Sequence, residues 1–191
     1  MDLLEVGSGR GGGASYIQKH LNTKTVTGLD ISSNAVDLSN SSFNTPGLTY
    51  VEGDSENLPF EDNRFDVVLN VESSHCYGSI EKFVSEAGRV LKKGGVFLWC
   101  DFRTENSMKD LFDLFLSSGF VIEKEKDITK NIMSALELLT PSRKKQINAH
   151  VPKIIKRVFE SYAGITGGEV NNAFVSGTLI YKSAALKIAK H

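Results

Sequence analysis

Short apolar runs alternate with segments of helical periodicity along the chain. Residues 3–6, 26–30, 48–53 and 65–71 are strand-length and largely apolar. Residues 12–21 between them read as a helix, and "ISSNAVDLSN" offers Ser32 or Ser33 as the cap of another. Phe83, Val84, Ala87, Val90 and Leu91 recur at helical spacing between Ser79 and Lys92. Lys92 and Lys93 would then occupy the last turn, where cations suit the helix dipole, and Gly94-Gly95 would stop it. "VFLWC" (96–100) is apolar throughout, as a strand buried on both faces should be. A helix over 108–118, a strand over 120–125, a mostly helical stretch over 128–163 and a last strand in "GTLIYKSAALKI" complete the pattern. Strands alternating with helices predict an α/β fold, βαβ units wound about a parallel sheet.

In the 128–163 stretch, Ile154, Ile155, Val158, Phe159 and Tyr162 share one helical face, with Lys153, Lys156 and Arg157 on the other. Such a segment is an amphipathic helix packed on the body. It also reads as a substrate lid, since long insertions carry binding loops. The two readings are compatible.

At 191 residues, 40% hydrophobic and 24% charged, the chain is expected to form one globular domain. A net charge of −1 argues against wholesale nucleic-acid binding, and "SRKK" and "KIIKR" read as solvated helix faces. Cys76 and Cys100 give neither a disulfide framework nor zinc-like spacing. There is no run of the ~20 apolar residues that a membrane span needs, and no signal-peptide layout, so a cytoplasmic location is the default. The sequence opens almost inside its first strand, which leads us to expect that an upstream segment is missing.

The chemistry starts at "LLEVGSGRGGGAS" (3–15). A glycine-rich turn between strand and helix lets a ligand approach bare backbone. Gly7, Gly9 and Gly12 satisfy the dinucleotide fingerprint G-x-G-x-x-G, while Gly7, Gly9 and Gly11, with Ser8 between them, satisfy an E/D-x-G-x-G-x-G form suited to S-adenosylmethionine (SAM). The loop leaves both open. Ligands of such sheets bind at the carboxyl ends of the strands, and these ends carry Glu5, Asp30-Ile31, Asp54-Ser55, Asn70 with Glu72, and Asp101. Asp30 can accept from both ribose hydroxyls in either ligand, whereas Asp54 can accept from an adenine amino group. Glu5 is an acid in an apolar strand, costly unless compensated. A cationic donor would compensate it and a pyrophosphate would be repelled, which favours SAM.

"LLEVGSGRGGGAS", "VTGLDIS", "YVEGDSENLPFEDNRFDVVLNVESSHCY" and "VLKKGGVFLWCDF" together resemble the successive motifs of class I SAM-dependent methyltransferases over residues 3–102. Within them the chain most resembles the phthiotriol/phenolphthiotriol dimycocerosate O-methyltransferases, which share E-x-SHCY after the fourth strand. The likeness extends through His150-Val151-Pro152. More distantly it is similar to rebeccamycin-type sugar O-methyltransferases and sterol C-methyltransferases. The resemblance implies a Rossmann-like, doubly wound, seven-stranded sheet, mostly parallel with an antiparallel last strand, and a helical insertion before that strand. It implies that Gly7, Gly9 and Gly11 line the methionine part of SAM, Asp30 its ribose, Asp54 and Ser55 its adenine, and Asn70 and Glu72 the sulfonium end. The helices that usually precede the first strand are absent from this sequence.

Methyl transfer from a sulfonium is an in-line displacement in which the protein mainly positions the acceptor. A hydroxyl acceptor must also lose its proton. Histidine exchanges protons near neutral pH, and His75 follows the fourth strand, with Asp101 at the end of the fifth placed to orient the imidazole. Rebeccamycin-type enzymes carry a similar His and Asp at the matching motif positions. His150 is a weaker base candidate; His20 and His191 read as surface residues, and nothing marks Cys76 as a low-pKa nucleophile. The expectation is therefore O-methylation of a small, hydrophobic, lipid-like or polyketide-like metabolite. The rivals are a non-catalytic or truncated SAM-binding protein, an NAD-dependent oxidoreductase and a nucleic-acid methyltransferase. The oxidoreductase would need a Ser/Tyr/Lys set, and the nucleic-acid enzyme an Asn-Pro-Pro-Tyr-like motif; neither is present.

Overall fold

All five residues of β1 (Asp2–Val6) are buried, as a central strand covered on both faces must be. In the computed structural model, which describes residues 1–152 and 168–189, β1 lies between β2 (Thr25–Asp30) and β4 (Phe65–Val71), parallel to both. Beyond β2 lies β3 (Leu48–Glu52), and beyond β4 lies β5 (Leu91–Arg103), again in parallel pairing. With β6 (Phe120–Asp127) and β7 (Ile180–Ile188), the described residues form a seven-stranded sheet in the order β3-β2-β1-β4-β5-β7-β6. Ala189 N–H bonds to Gly119 O and Ile128 N–H to Tyr181 O, both at 2.8 Å, so β7 runs against β6. The sheet is mostly parallel with an antiparallel last strand, as expected. The strand order reverses between β1 and β4, which makes the ends of those two strands the natural ligand crevice.

The helices form where the sequence provides caps and apolar stripes. Among the described residues they are α1 (Gly12–His20), α2 (Ser33–Ser42), α3 (Ile80–Val90), α4 (Glu105–Ser117), α5 (Thr129–His150) and α6 (Glu169–Val175). Ser32 Oγ caps α2 through Ala35 N–H at 3.3 Å, and Ser79 Oγ caps α3 through Lys82 N–H at 3.3 Å. Helix α3 buries Phe83, Val84, Ala87 and Val90 on one face.

The chain divides into two compact units. The first comprises Met1–Asp101, Asp110–Glu125 and Ser183–His191. Its core includes a run of aromatic contacts, Phe83 to Phe97 to Phe115 to Trp99, with centroids 5.8–5.9 Å apart. On the other side of the sheet, Leu3, Ala14, Val26, Val36, Tyr50 and Val67 form a second cluster. Arg89 on α3 secures the turn after β3. It donates to Leu58 O at 3.0 Å, Phe60 O at 2.7 Å and Asp62 at 2.8 Å, and pairs with Glu86, which accepts from Leu58 N–H at 2.7 Å. The second unit, Phe102–Lys109 with Lys126–Lys182, contains a Phe102–Phe174–Tyr181 aromatic cluster.

Two expectations are corrected. Lys92 and Lys93 do not end a helix: α3 stops at Val90 and β5 begins at Leu91. Leu91 pairs with Phe65, but Val96 is the partner of Val67, so residues 92–95 form a bulge. The Lys92 ammonium is held there by Asp66 at 2.9 Å and Asp2 at 3.3 Å, and Gly94 takes φ 81°. The second correction is α6, which the sequence pattern did not reveal. The amphipathic face from Ile154 to Tyr162, its cations, His191 and the side chain of His150 lie outside the described residues. Among the described residues no helix is long and apolar enough to cross a membrane.

Candidate active site

The loop after β1 is a tight nest of backbone. Gly7 and Ser8 N–H groups both donate to Leu29 O, at 2.8 and 2.9 Å, and Gly11 N–H donates to Ser8 O at 2.9 Å. Two of its glycines have no substitute. Gly7 (φ 75°) has the Ser73 hydroxyl where a Cβ would stand, and Gly11 (φ 77°) has Ser39 and the Tyr50 ring there. Tyr50 Oη also donates to Gly11 O at 2.5 Å. The Asp30 carboxylate, at the end of β2, accepts from Gly9 N–H at 2.8 Å and Ser32 N–H at 3.0 Å, tying loop and strand end together.

A cleft of about 390 Å³ opens beside this loop. Gly7, Gly9, Asp30, Ile31, Asp54, Ser55 and Glu72 line it, all of them candidates from the sequence. Asp54 serves also as a turn residue, accepting from Glu56 N–H at 2.8 Å. Glu72 sits at φ 51°, a left-handed conformation unusual for a residue with a Cβ, at the point where β4 ends. Four acidic side chains, Asp30, Asp54, Glu56 and Glu72, line the cleft, and among the described residues no lysine or arginine does.

Other candidates stand behind this lining. Ser8, Gly11 and Asn70 do not line the cleft; they shape it. Asn70 is fully buried, and its Nδ2 donates to Val6 O at 3.0 Å with Ser73 Oγ and Tyr77 Oη at 2.8 and 2.9 Å. Glu5 does not line the cleft either. Its carboxyl accepts from Ala14 N–H at the start of α1, and burial pushes it up to about 7. The compensation expected of a ligand cation therefore comes from a helix N-terminus and from the readiness of Glu5 to hold a proton.

Glu56, Ser73 and Tyr77, to which the sequence assigned no binding role, also line the cleft. Burial raises the Tyr77 hydroxyl to about 12, so it stays protonated. Glu56 accepts from Ser79 N–H at 2.7 Å and approaches Lys82 at 3.6 Å, linking the turn after β3 to the start of α3. The signal was present in "DSENLPF" and "SSHCY", but each of these residues also fits an ordinary turn or a buried aromatic.

Directly after Ser73, a single 3₁₀ turn (Ser74–Cys76) carries His75. Its Nδ1 lies 2.8 Å from Asp101 Oδ1, and its backbone N–H donates to Asp101 Oδ2 at 3.0 Å. Asp101 is fully buried on β5, while the His75 side chain is 29% accessible. The structure thus joins the two predicted catalytic residues, although His75 stands next to the cleft lining and is not part of it.

A family described as a methyltransferase domain matches residues 4–99, half of the chain, including the glycine loop, the acidic strand ends up to Glu72 and most of β5. The chain belongs to the methyltransferase domain family. Among curated relatives of this methyltransferase-family chain, it is 32% identical over 180 residues to the phthiotriol/phenolphthiotriol dimycocerosates methyltransferase of Mycobacterium leprae, covering 94% of this chain and 67% of that one. It is 33% identical over 160 residues to the fatty-acid O-methyltransferase of Mycolicibacterium smegmatis, covering 84% and 58%. The chain spans 64% to 67% of the length of the dimycocerosates relatives. Among solved structures, the O-methyltransferase of a trans-AT PKS multienzyme of Brevibacillus brevis, in complex with S-adenosyl-L-homocysteine, matches with TM-score 0.75 at 18% identity, over 99% of this chain and 67% of that one. The [4+2]-cyclase SpnF matches with TM-score 0.77 at 19% identity, over 100% and 76%. These structural matches establish the methyltransferase fold, and the reaction must be argued from the site.

Proposed function

We propose that this chain binds SAM in the acidic cleft and catalyses methyl transfer to the hydroxyl of a hydrophobic, lipid-like acceptor. The observation that carries the proposal is the charge of the lining: four carboxylates and, among the described lining residues, no cation. A sulfonium ligand bearing an ammonium group gains from such a field, whereas a pyrophosphate is repelled. Gly7 and Gly9 present bare backbone to the cleft, Asp30 at the end of β2 suits a ribose diol, and Asp54 with Ser55, on the same lining, suits an adenine. The residues therefore fit the donor. Bound there, SAM would supply an electrophilic methyl group already activated by its positive sulfur.

The chain's own residues would do the rest. In the neutral imidazole, an Nδ1–H given to Asp101 puts the basic lone pair on Nε2. His75 would then accept the acceptor's hydroxyl proton as its oxygen attacks, and the buried Asp101 carboxylate would stabilise the imidazolium formed. Asn70, Ser73 and Tyr77 hold the end of β4 against the glycine loop, so that Glu72 keeps its place at the rim. The lipid-like acceptor is supported by the names of the relatives.

Calorimetry with SAM, S-adenosylhomocysteine and NAD, followed by turnover of methyl-labelled SAM with hydroxylated lipids, tests the proposal. SAM and its product should bind and NAD should not. His75→Asn should lower turnover by about 10²–10⁴-fold with SAM affinity unchanged. Binding of NAD in place of SAM would overturn the donor assignment. Full turnover by His75→Asn would overturn the base.

A further inference from the structure

The His75–Asp101 pair is the visible end of a longer buried chain. Trp99 Nε1 donates to Ser74 Oγ at 3.0 Å, and Ser74 Oγ donates to Asp101 Oδ2 at 2.7 Å. Trp99, Ser74 and Asp101 are 1%, 2% and 0% exposed. The direction of this chain follows from chemistry. An indole nitrogen can only donate, so Ser74 Oγ spends a lone pair on Trp99 and its own proton turns to Asp101. Asp101 Oδ2 also receives the His75 backbone N–H at 3.0 Å. With the Asp101 carboxylate accepting from two donors at Oδ2, its Oδ1, 2.8 Å from His75 Nδ1, accepts the proton of that nitrogen.

We propose that Ser74 and Trp99 are positioning residues, which act through Asp101 to hold His75 as its Nδ1–H tautomer and thus to place the basic nitrogen at Nε2. This rests on the reading of His75 as the base. Trp99 has a separate anchor, because its ring packs against Phe112 and Phe115 at 5.9 and 5.8 Å. The indole N–H can therefore be removed while most of the packing is kept. Ser74 and His75 are adjacent, so one 3₁₀ turn delivers both the imidazole and the hydroxyl that orients its carboxylate. The wild-type imidazole does not choose its tautomer; the strand two residues before Asp101 chooses it.

The test uses the whole chain labelled with ¹⁵N-histidine, together with Ser74→Ala, Ser74→Thr, Trp99→Phe and His75→Asn. The wild-type His75 ring should show the ¹⁵N shifts of an Nδ1–H tautomer, identified by its loss in His75→Asn. Ser74→Ala should broaden or move this signal and lower kcat about tenfold, the effect of one hydrogen bond to a charged group, with KM for SAM unchanged. Ser74→Thr should restore both. Trp99→Phe should give the same tautomer change with a smaller, about threefold loss, and it carries the test if Ser74→Ala fails to fold. Wild-type tautomer and kcat in Ser74→Ala and Trp99→Phe alike would overturn the proposal. A tautomer change in those variants beside full turnover in His75→Asn would support the positioning chain and overturn the base reading, so the two failures are distinguishable.

Discussion

Replacing Glu5 by glutamine should stabilise the protein, and should do so only above acidic pH. Glu5 is 6% exposed, and burial raises its carboxyl from an ordinary 4.5 to about 7. Between those two values the folded chain holds a proton that the unfolded chain releases. Stability contributed at Glu5 is therefore complete below about 4.5 and is lost as the pH rises through about 7. At 1.36 kcal/mol for each tenfold change in proton affinity, the full loss is about 3 kcal/mol. Glutamine keeps an oxygen for Ala14 N–H and carries no charge at any pH. Urea unfolding of wild type and Glu5→Gln from pH 4.5 to 8.5, without ligand, isolates this group, because the other carboxylates are common to both. The variant should match wild type at the acid end and exceed it by about 3 kcal/mol at pH 8. A difference that stays flat across the range would show that Glu5 is ionised in the fold at no cost, and would refute the reasoning.

Two other perturbations test how the loops are held. Gly7→Ala would need a Cβ in the place of the Ser73 hydroxyl at a left-handed φ of 75°, and thermal unfolding should show a loss of about 2–4 kcal/mol together with loss of SAM binding by calorimetry. Arg89→Ala would leave Leu58 and Phe60 carbonyls and the Glu86 carboxylate without their shared donor, and denaturant titration should show a loss of about 2–4 kcal/mol.

The first half of the fold is legible in the sequence because its signals are local. Residues 65–71 form β4 with the bounds that the apolar run predicts, and Ser32 caps α2 as its type and position suggest. What escapes is decided by partners distant in sequence. Lys92-Lys93-Gly94-Gly95 has the composition of a helix end, yet Asp66 and Asp2 hold Lys92 in the bulge of a strand. Glu5 is visible as a costly acid, but its partner, the Ala14 amide, belongs to the backbone of a helix and leaves no side-chain trace. In the site, the strand ends predict the acidic lining well, since charged residues there have few alternatives. Ser73, Ser74, Tyr77 and Trp99 look like ordinary core or turn residues until the fold brings β4 and β5 side by side.

The bulge in β5 sets the phase of everything after it. From Leu91 to Val96 the strand takes five steps while its neighbour takes two. Side chains alternate with a period of two, so an insertion or deletion of one residue that is passed on beyond Val96 would exchange the faces of the strand. After an insertion Cys100 would stand where Asp101 does and Leu98 where Trp99 does; after a deletion Phe102 and Cys100 would take those places. A change of two would restore the alternation but move the carboxylate by a full repeat, away from His75. The glycines of an unremarkable corner thus act as the spacer that keeps a remote acid in line with its imidazole.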